Sequence, residues 1–530
     1  MIYFIFSLFS YILYISLKYR KTFYYLQQSS YNTKNRYIKW LFKNAKTTFI
    51  TDDLYFVLIV ISYYILSYSF FCFLTFIFFA FLFYQELKKK KQEKQKKPFV
   101  VTHRIKRLCI TTFILFLLLF IPIIITFNTK YILLYYLLLI SFTYFAPTIT
   151  LLANIINKPV ELIVYYHYLS MAQNKLNKMT NLIKIGITGS YGKTTTKNIL
   201  NSLISTEYNS YVTPKSFNTP YGLISAINND LSIFDDIFIA EMGACSKNDI
   251  KKLTNFINPK YAIITNIGVA HYEIFKSITN IINTKFELVE NLPKDGVAIL
   301  NKDDKNITEY IIKNKCKVIW IGIDNEADIM AKNINITNQE MTFDIYFKDI
   351  KQTYSFTTNI LGRINIYNIL SAIALAKELN INIKKLQLAI ANLKPTEHRL
   401  DIKKISHYNI IDDSFNSNPI GAKEALNILK LMDGQKIVIT PGMIELGKKQ
   451  NKLNYELGQD IAKVADITIL VGQKQTKDVL RGLQDNNYNN KNIYVIDDIK
   501  KAFFIIEKVR DKNIETYILL ENDLPDIFNE

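Results

Sequence analysis

Among 530 residues there are four cysteines, Cys72, Cys109, Cys245 and Cys316, and no two of them stand in a CxxC spacing. That excludes a disulfide framework and a structural zinc site. Acid is scarce in two stretches. Lys18 to Lys46 has none against eight basic residues, and Glu86 to Arg107 has two against ten. No basic residue precedes the first apolar run and no small-residue cleavage site follows it, which argues against a cleaved signal peptide. Fixed-period repeats and low-complexity tracts are also missing.

What is present begins with charge. The net charge of +19 would suit nucleic acid, but the two acid-poor stretches carry +8 each and leave only +3 for the rest. Both border long apolar runs, so the positive charge reads as membrane-flanking, with no nucleic-acid partner. The runs are Ile2 to Leu17, Leu54 to Tyr84, Leu108 to Phe127 and Tyr131 to Ala153. A bilayer core of about 30 Å takes roughly 20 helical residues, so Leu54 to Tyr84 is too long for one upright crossing. Two short crossings, turning near Ser67 to Ser69, keep both basic stretches on the inner side. The expectation is an all-helical transmembrane region of about five crossings over 1–153. The N-terminus and Asn128 to Lys130 lie outside and the basic stretches inside. A basic juxtamembrane helix follows over 154–180, lying near the interface from Lys158 to Lys178.

From Asn181 onward, apolar strand-like runs ("IKIGIT", "DIFIAEMG", "YAIITNIG", "VAIL", "VIWIG", then "YNIID", "KIVIT", "ITILVG", "IYVID", "TYILLE") alternate with helical patterns. Such alternation argues for parallel sheets in α/β layers. About 350 residues is long for one unit, so two domains are expected, 181–395 and 396–530, jointed where Pro395 breaks the helical pattern in "NLKPTEHRL". The first opens on "GITGSYGKTTTK", Gly186 to Lys197. Gly192-Lys193-Thr194 fits the end of a GxxxxGK[ST] phosphate loop, but the leading glycine should fall at Ile187, and glycines stand at Gly186 and Gly189 instead. A strand feeding the loop and a helix leaving it supply the context of an anion site. Glu241 and His271 each end a strand-like run, at the sheet edge where ligands bind. A carboxylate there can hold Mg²⁺ on nucleotide phosphates.

In chain order "GITGSYGKTTTK", "AEMGA", "TNIGVAHYEIFKS" with "NTKFELVENLP", "GRINIYNILSAIALA", "HRLD", "IDDSFNSNP" and "PGMIELG" resemble the motifs of the Mur ligases. Within that family the likeness is closest to the branch that adds the terminal D-Ala-D-Ala of the peptidoglycan stem. The resemblance covers Asn181 to Glu530 and accounts for the displaced glycine, since the family loop resembles GxTGSxGKT. It implies a P-loop Mur ligase central domain and a Rossmann-like C-terminal ligase domain, an α/β fold here preceded by membrane helices. It also implies an ATP-dependent ligase, with ATP and two Mg²⁺ ions as cofactors. ATP would phosphorylate a muropeptide carboxylate, which an amine then attacks.

Carried over by motif, Gly189, Ser190, Gly192, Lys193, Thr194 and Thr195 grip the phosphates, while Thr194, Glu241 and His271 serve Mg²⁺. Lys285 corresponds to a lysine that is carbamylated and so becomes an anionic aid to the second ion. Lys193, Glu241, His271 and Lys285 thus carry the chemistry. Asn365 and Asn368 fall near the adenine, Arg399 and Asp413 close the second domain over ATP, and Asn416 and Asn418 shape their loop. The family normally has a soluble N-terminal domain for the uridine diphosphate sugar, whose place is here taken by membrane spans. The acceptor is therefore either UDP-linked or lipid-linked, and the amine D-Ala-D-Ala or another donor, ammonia included. An ATP-driven transporter or sensor is the reading from another class. The spans contain almost no ionisable residues, which argues against it.

Overall fold

The computed structural model describes residues 2–29, 31, 37–43, 56–92, 98–125, 131–415 and 417–523. Asn128 to Lys130, Lys34, Lys46 and Asn416 lie outside the described residues. The chain forms two compact units, dividing between Tyr166 and His167.

The first unit is helical. Ile2–Gln28 and Tyr68–Gln92 pack along each other around fully buried aromatics, among them Tyr11, Phe71, Phe79 and Tyr136. Some buried hydroxyls bond to one another across the bundle, which offsets the cost of burying them in apolar surroundings. Tyr136 Oη donates to Ser7 Oγ (2.9 Å), and Thr75 Oγ1 donates to Tyr136 Oη (2.9 Å). Large apolar side chains such as Ile5, Phe9, Phe113 and Leu118 face outward. Among the described helices, Ile2–Gln28 and Tyr68–Lys91 are long and apolar enough to cross a membrane. The pair Ile132–Tyr144 and Ala146–Ile156, bent by 71°, makes a third if it counts as one span. The run Leu54 to Tyr84 breaks at Leu66–Ser67, where Phe71 N donates to Ser67 O (2.8 Å) as the second helix starts. The division is unequal. The 10 residues Phe56–Ile65 rise about 15 Å, half a bilayer core, while the 25 residues Tyr68–Gln92 rise about 37 Å. One short and one span-length helix thus stand where two short crossings were expected.

The second unit holds two sheets. The larger contains β1 (Ile183–Thr188), β2 (Ser210–Val212), β3 (Ile237–Glu241), β4 (Tyr261–Ile264), β5 (Val297–Asn301), β6 (Lys317–Gly322), β7 (Ile329–Ile336), β8 (Met341–Phe347) and β9 (Gln352–Thr358), in the order β2-β3-β1-β4-β5-β6-β7-β8-β9. β2 to β7 run parallel; β8 and β9 continue as an antiparallel meander. The parallel strands are covered on both faces, and β3, β4 and β5 are buried at every position, which explains their unbroken apolar sequence. β8 instead alternates buried and half-buried residues, the mark of a sheet with one wet face. The helix Arg363–Glu378 is buried almost all round, between the strands β5 to β7 and the helix Lys193–Ile204.

The smaller sheet contains β10 (Asp401–Ile405), β11 (Tyr408–Asp413), β12 (Gln435–Thr440), β13 (Ile467–Val471), β14 (Ile493–Ile496) and β15 (Thr516–Glu521), ordered β10-β11-β15-β12-β13-β14 and parallel except at β10. In both sheets the residues of interest sit at carboxyl ends of strands: Glu241 on β3, Asp413 on β11 and Glu521 on β15. That is the ligand-binding edge of an open parallel sheet.

Candidate functional site

β1 delivers the chain into the loop 189–192, and the helix Lys193–Ile204 leaves it. Gly189 has φ +152°, and a Cβ there would stand 2.0 Å from Thr265 Oγ1. Gly192 has φ +76°, and its Cβ would meet Asn368 Oδ1 at 2.6 Å. These two approaches require glycine where the sequence has it, while Ile187 is a fully buried residue of β1. Asn266 holds the loop: its carbonyl accepts from Ser190 N (2.8 Å) and its Oδ1 from Tyr191 N (2.9 Å). The first-turn N–H groups of the following helix have no intrahelical acceptor and supply a positive end for an anion. Lys193 Nζ arches back over the loop, donating to Gly189 O (2.9 Å) and Ser190 O (3.2 Å).

Glu241 is the hub beside it, 1% exposed. Its Oε2 accepts from Thr194 Oγ1 (2.9 Å) and lies 3.2 Å from Lys197 Nζ, and its Oε1 accepts from Asn218 Nδ2 (3.0 Å). Burial pushes this carboxyl upward, but Lys197, Lys193 and the two hydrogen bonds together hold it below its ordinary value, so it is anionic. Burial lowers the ammonium groups of Lys193 and Lys197 against the pull of the same carboxylate.

Lys285, on the helix Ile278–Glu290, is 4% exposed. Burial first and the Lys193 ammonium second bring it down to about 7. Arg399 is half-buried with its guanidinium 4.5 Å over the Phe415 ring, and it feels both Asp413 and Glu241. Its flanking residues, His398 (φ +61°) and Leu400 (φ +49°), both hold left-handed backbone, a strained arrangement fixed by Asp412 on His398 Nδ1 (2.8 Å) and by Asp413 Oδ1 on Leu400 N (3.2 Å). Asp413 is pushed up to about 6 by burial, with Arg399 opposing. Lys193, Thr194, Glu241, Lys285, Arg399 and Asp413 therefore form one electrostatic cluster drawn from both sheets.

Other expected residues stand differently. His271 pairs through Nδ1 with Glu445 Oε2 (2.7 Å), a residue of the second sheet's β12 loop. Asn365 and Asn368, both buried, tie the helix Arg363–Glu378 to the loop helix: Thr196 Oγ1 donates to Asn368 Oδ1 (3.0 Å), and Asn368 Nδ2 donates to Asn365 Oδ1 (3.0 Å). Asn418 caps the helix Pro419–Lys430, accepting from Gly421 N (2.9 Å). Among the described residues, no group of three or more His, Cys, Asp or Glu side chains is arranged to hold a metal by itself.

Four residues of the site were not singled out from sequence. Lys197 and Asn218 complete the Glu241 hub. Glu445 stands inside the quoted string "PGMIELG", the signal that could have found it. Glu521 is wholly buried, accepts from Ser417 Oγ and, among the described residues, has no partner for Oε2. Burial, then Asp413, raises it well above the ordinary carboxyl value. Nothing local in "TYILLE" distinguishes it from a surface strand end.

The chain is similar to known proteins over both sheets. Residues 187–376 match the family described as Mur ligase middle domain, and residues 398–518 match Mur ligase, glutamate ligase domain. The UDP-N-acetylmuramoyl-tripeptide–D-alanyl-D-alanine ligase of Bacillus subtilis is 31% identical over 52% of this chain and 60% of its own length. The UDP-N-acetylmuramate–L-alanine ligase of Clostridium acetobutylicum is 30% identical over 60% of this chain and 69% of its own. The chain thus spans about three fifths of the first of these relatives. The crystal structure of MurF from Thermotoga maritima in complex with ADP shares the fold, with a TM-score of 0.61 at 23% identity over 69% of this chain and 81% of that one. With both domain matches in order and the nucleotide-loop geometry in place, the chain belongs to the Mur ligase family.

Proposed function

We propose that this chain is an ATP-dependent, ADP-forming amide ligase of peptidoglycan precursor synthesis, held at a membrane by its helical unit with the ligase domains in the cytoplasm. It joins D-Ala-D-Ala to a muramoyl tripeptide through an acyl phosphate. The observation that carries this reading is the convergence of the loop, the Thr194–Glu241 pair and Lys285 with Arg399 and Asp413 of the second sheet. The relatives' printed names supply the substrates.

Each side chain has a task in that reaction. The loop helix N-terminus and Lys193 bind the phosphates, and Arg399 approaches them from the second domain. Thr194 and Glu241 offer hard oxygens 2.9 Å apart, which suits Mg²⁺, an ion that takes one or two protein carboxylates and completes its shell with water and phosphate. When bound, Mg²⁺ neutralises charge building up between the phosphoryl groups. Lys285, brought to about 7, has a substantial neutral fraction at physiological pH, the form that carbamylation by CO₂ needs. In the first step an acceptor carboxylate oxygen attacks the γ-phosphorus and ADP leaves. In the second the amine attacks the acyl carbon, phosphate leaves, and the nitrogen gives up its proton. Most of the protein's contribution is orientation and charge compensation.

A lipid-linked muropeptide, extended or amidated, is the second reading for the acceptor. It is favoured by the apolar helices that precede the matched residues 187–518. The test is to incubate the purified full-length chain with ATP, Mg²⁺ and either the UDP-linked tripeptide or its lipid-linked form, adding D-Ala-D-Ala or ammonia. Amide formation with D-Ala-D-Ala is expected, and Lys193→Ala should reduce it by at least about a hundredfold, as for loss of a principal phosphate contact. Near-normal product from that variant would refute the loop assignment.

A further inference from the structure

In the helical unit, three elements meet at Asn157: the apolar helix His103–Ile125, the bent-pair helix Ala146–Ile156, and the helix beginning at Lys158. Asn157 is 6% exposed; its Oδ1 accepts from Thr111 Oγ1 (2.6 Å), but its Nδ2 has no acceptor among the described residues. Two arginines project from the first turns of His103–Ile125. Arg107 occupies both oxygens of Glu161, with Nε at 2.7 Å and Nη2 at 2.8 Å. That fork leaves Arg104 outside: its Nε stands 3.9 Å from Glu161 Oε2, beyond hydrogen-bond reach, and is buried without an acceptor among the described residues. The Arg104 face is covered by the Tyr31 ring at 3.8 Å, and its Nη2 makes one long contact, 3.4 Å, to Asn154 Oδ1.

Among the described residues, two arginines against one glutamate leave the cluster one positive charge in excess, and the unsatisfied nitrogens, Arg104 Nε and Asn157 Nδ2, are both donors. A buried donor without an acceptor is costly. The ligand that fits is an anion offering several acceptor oxygens and needing no donor in return, which is the chemistry of a phosphate group. The depth also fits a head group. Arg104 lies at the polar end of a helix whose next turns expose Ile110 and Phe113, and the adjoining helix exposes Ile155 and Ile156.

We propose that this junction is a binding site for a phosphate group at head-group depth, carried by an anionic lipid. The proposal rests on the membrane reading of these helices and is independent of the ligase chemistry. The full-length chain in phosphatidylcholine nanodiscs would be titrated with dioleoyl phosphatidic acid and, in a parallel arm, with inorganic pyrophosphate, and binding read by native mass spectrometry. Phosphatidic acid should bind, and Arg104→Gln should weaken it by roughly tenfold or more, the loss of one charge-assisted hydrogen bond. Asn157→Ala should weaken it several-fold. Arg104→Lys, which keeps the charge and the fold but loses the planar donor edge, should also bind less tightly. Lys106→Gln, an exposed change on the same helix, should leave binding within twofold. Arg104-dependent binding of pyrophosphate as tight as that of the lipid would support the phosphate site and assign it a soluble source. Wild-type lipid affinity in both Arg104 variants, or an equal loss in Lys106→Gln, would overturn the proposal.

Discussion

Glu241 and Glu521 are both wholly buried carboxyls at strand ends, and their surroundings give them opposite characters. Glu241 has two lysines and two hydrogen-bond donors around it and stays charged. Glu521 has Asp413 as its charged neighbour and one hydroxyl donor, so its proton is held tightly. A carboxyl raised by folding contributes stability that is fully present below its unfolded value and is lost as pH rises through the folded one. Glu521→Gln keeps the shape, accepts from Ser417 and folds without having to take up a proton beside Asp413. It should raise the unfolding midpoint by about 2–4 °C at pH 8, with the gain vanishing near pH 4; a scanning calorimetry series across pH checks this, and a lower midpoint at pH 8 would contradict it. Lys285 supports a second expectation at this scale. A fixed ammonium beside Lys193 would oppose a metal, so the proposed reaction calls for the anionic carbamate there. Lys285→Ala should lose most activity, Lys285→Arg should not restore it, and wild-type turnover should rise with added bicarbonate. Full activity in Lys285→Arg would show that a positive charge suffices there.

At the scale of elements, the β12 loop docks on the segment that follows β4. Glu445, at φ +62°, holds His271, itself at φ +50°, while Glu273 N donates to Glu445 O (3.4 Å) and Lys449 Nζ lies 4.9 Å from the Tyr272 ring. Gly447 is forced by the same contact: φ is +55° and its Cβ would stand 3.3 Å from Glu273 Cα. Two strained residues facing each other across two domains mark a contact the fold enforces. If His271 serves Mg²⁺ as its motif implies, Glu445→Ala should cut kcat/KM by about 10- to 100-fold, the usual effect of removing the partner that orients a ligating histidine. The unfolding midpoint should move little, because both side chains are part-exposed. An unchanged kcat/KM would make the pair a surface ion pair only. This contact was not legible beforehand. Periodicity exposes β1, β3, β4 and β5 because strands buried on both faces read as continuous apolar runs, but a pairing 174 residues apart leaves no local trace. The antiparallel β8 and β9 were missed for a related reason: half-wet strands such as "QTYSFTT" carry too little apolar content to stand out. The glycine displacement, by contrast, was legible as a departure from a pattern, while the approaches of Thr265 and Asn368 to Gly189 and Gly192 required the fold.

The whole molecule joins an apolar helical unit to a Mur ligase pair of domains, with the matched residues beginning at 187. In the proposed reaction ATP activates a carboxylate which an amine then captures, and none is spent on work within the helices. The most direct measurement uses the full-length chain and a muramoyl tripeptide whose terminal carboxylate carries ¹⁸O, with ATP, Mg²⁺ and D-Ala-D-Ala, following amide and phosphate by mass spectrometry. An acyl phosphate delivers one carboxylate oxygen to the departing phosphate, so the proposed reaction yields one ¹⁸O in each phosphate released and one amide for each ADP. Unlabelled phosphate, produced at the same rate with the acceptor omitted, would contradict it.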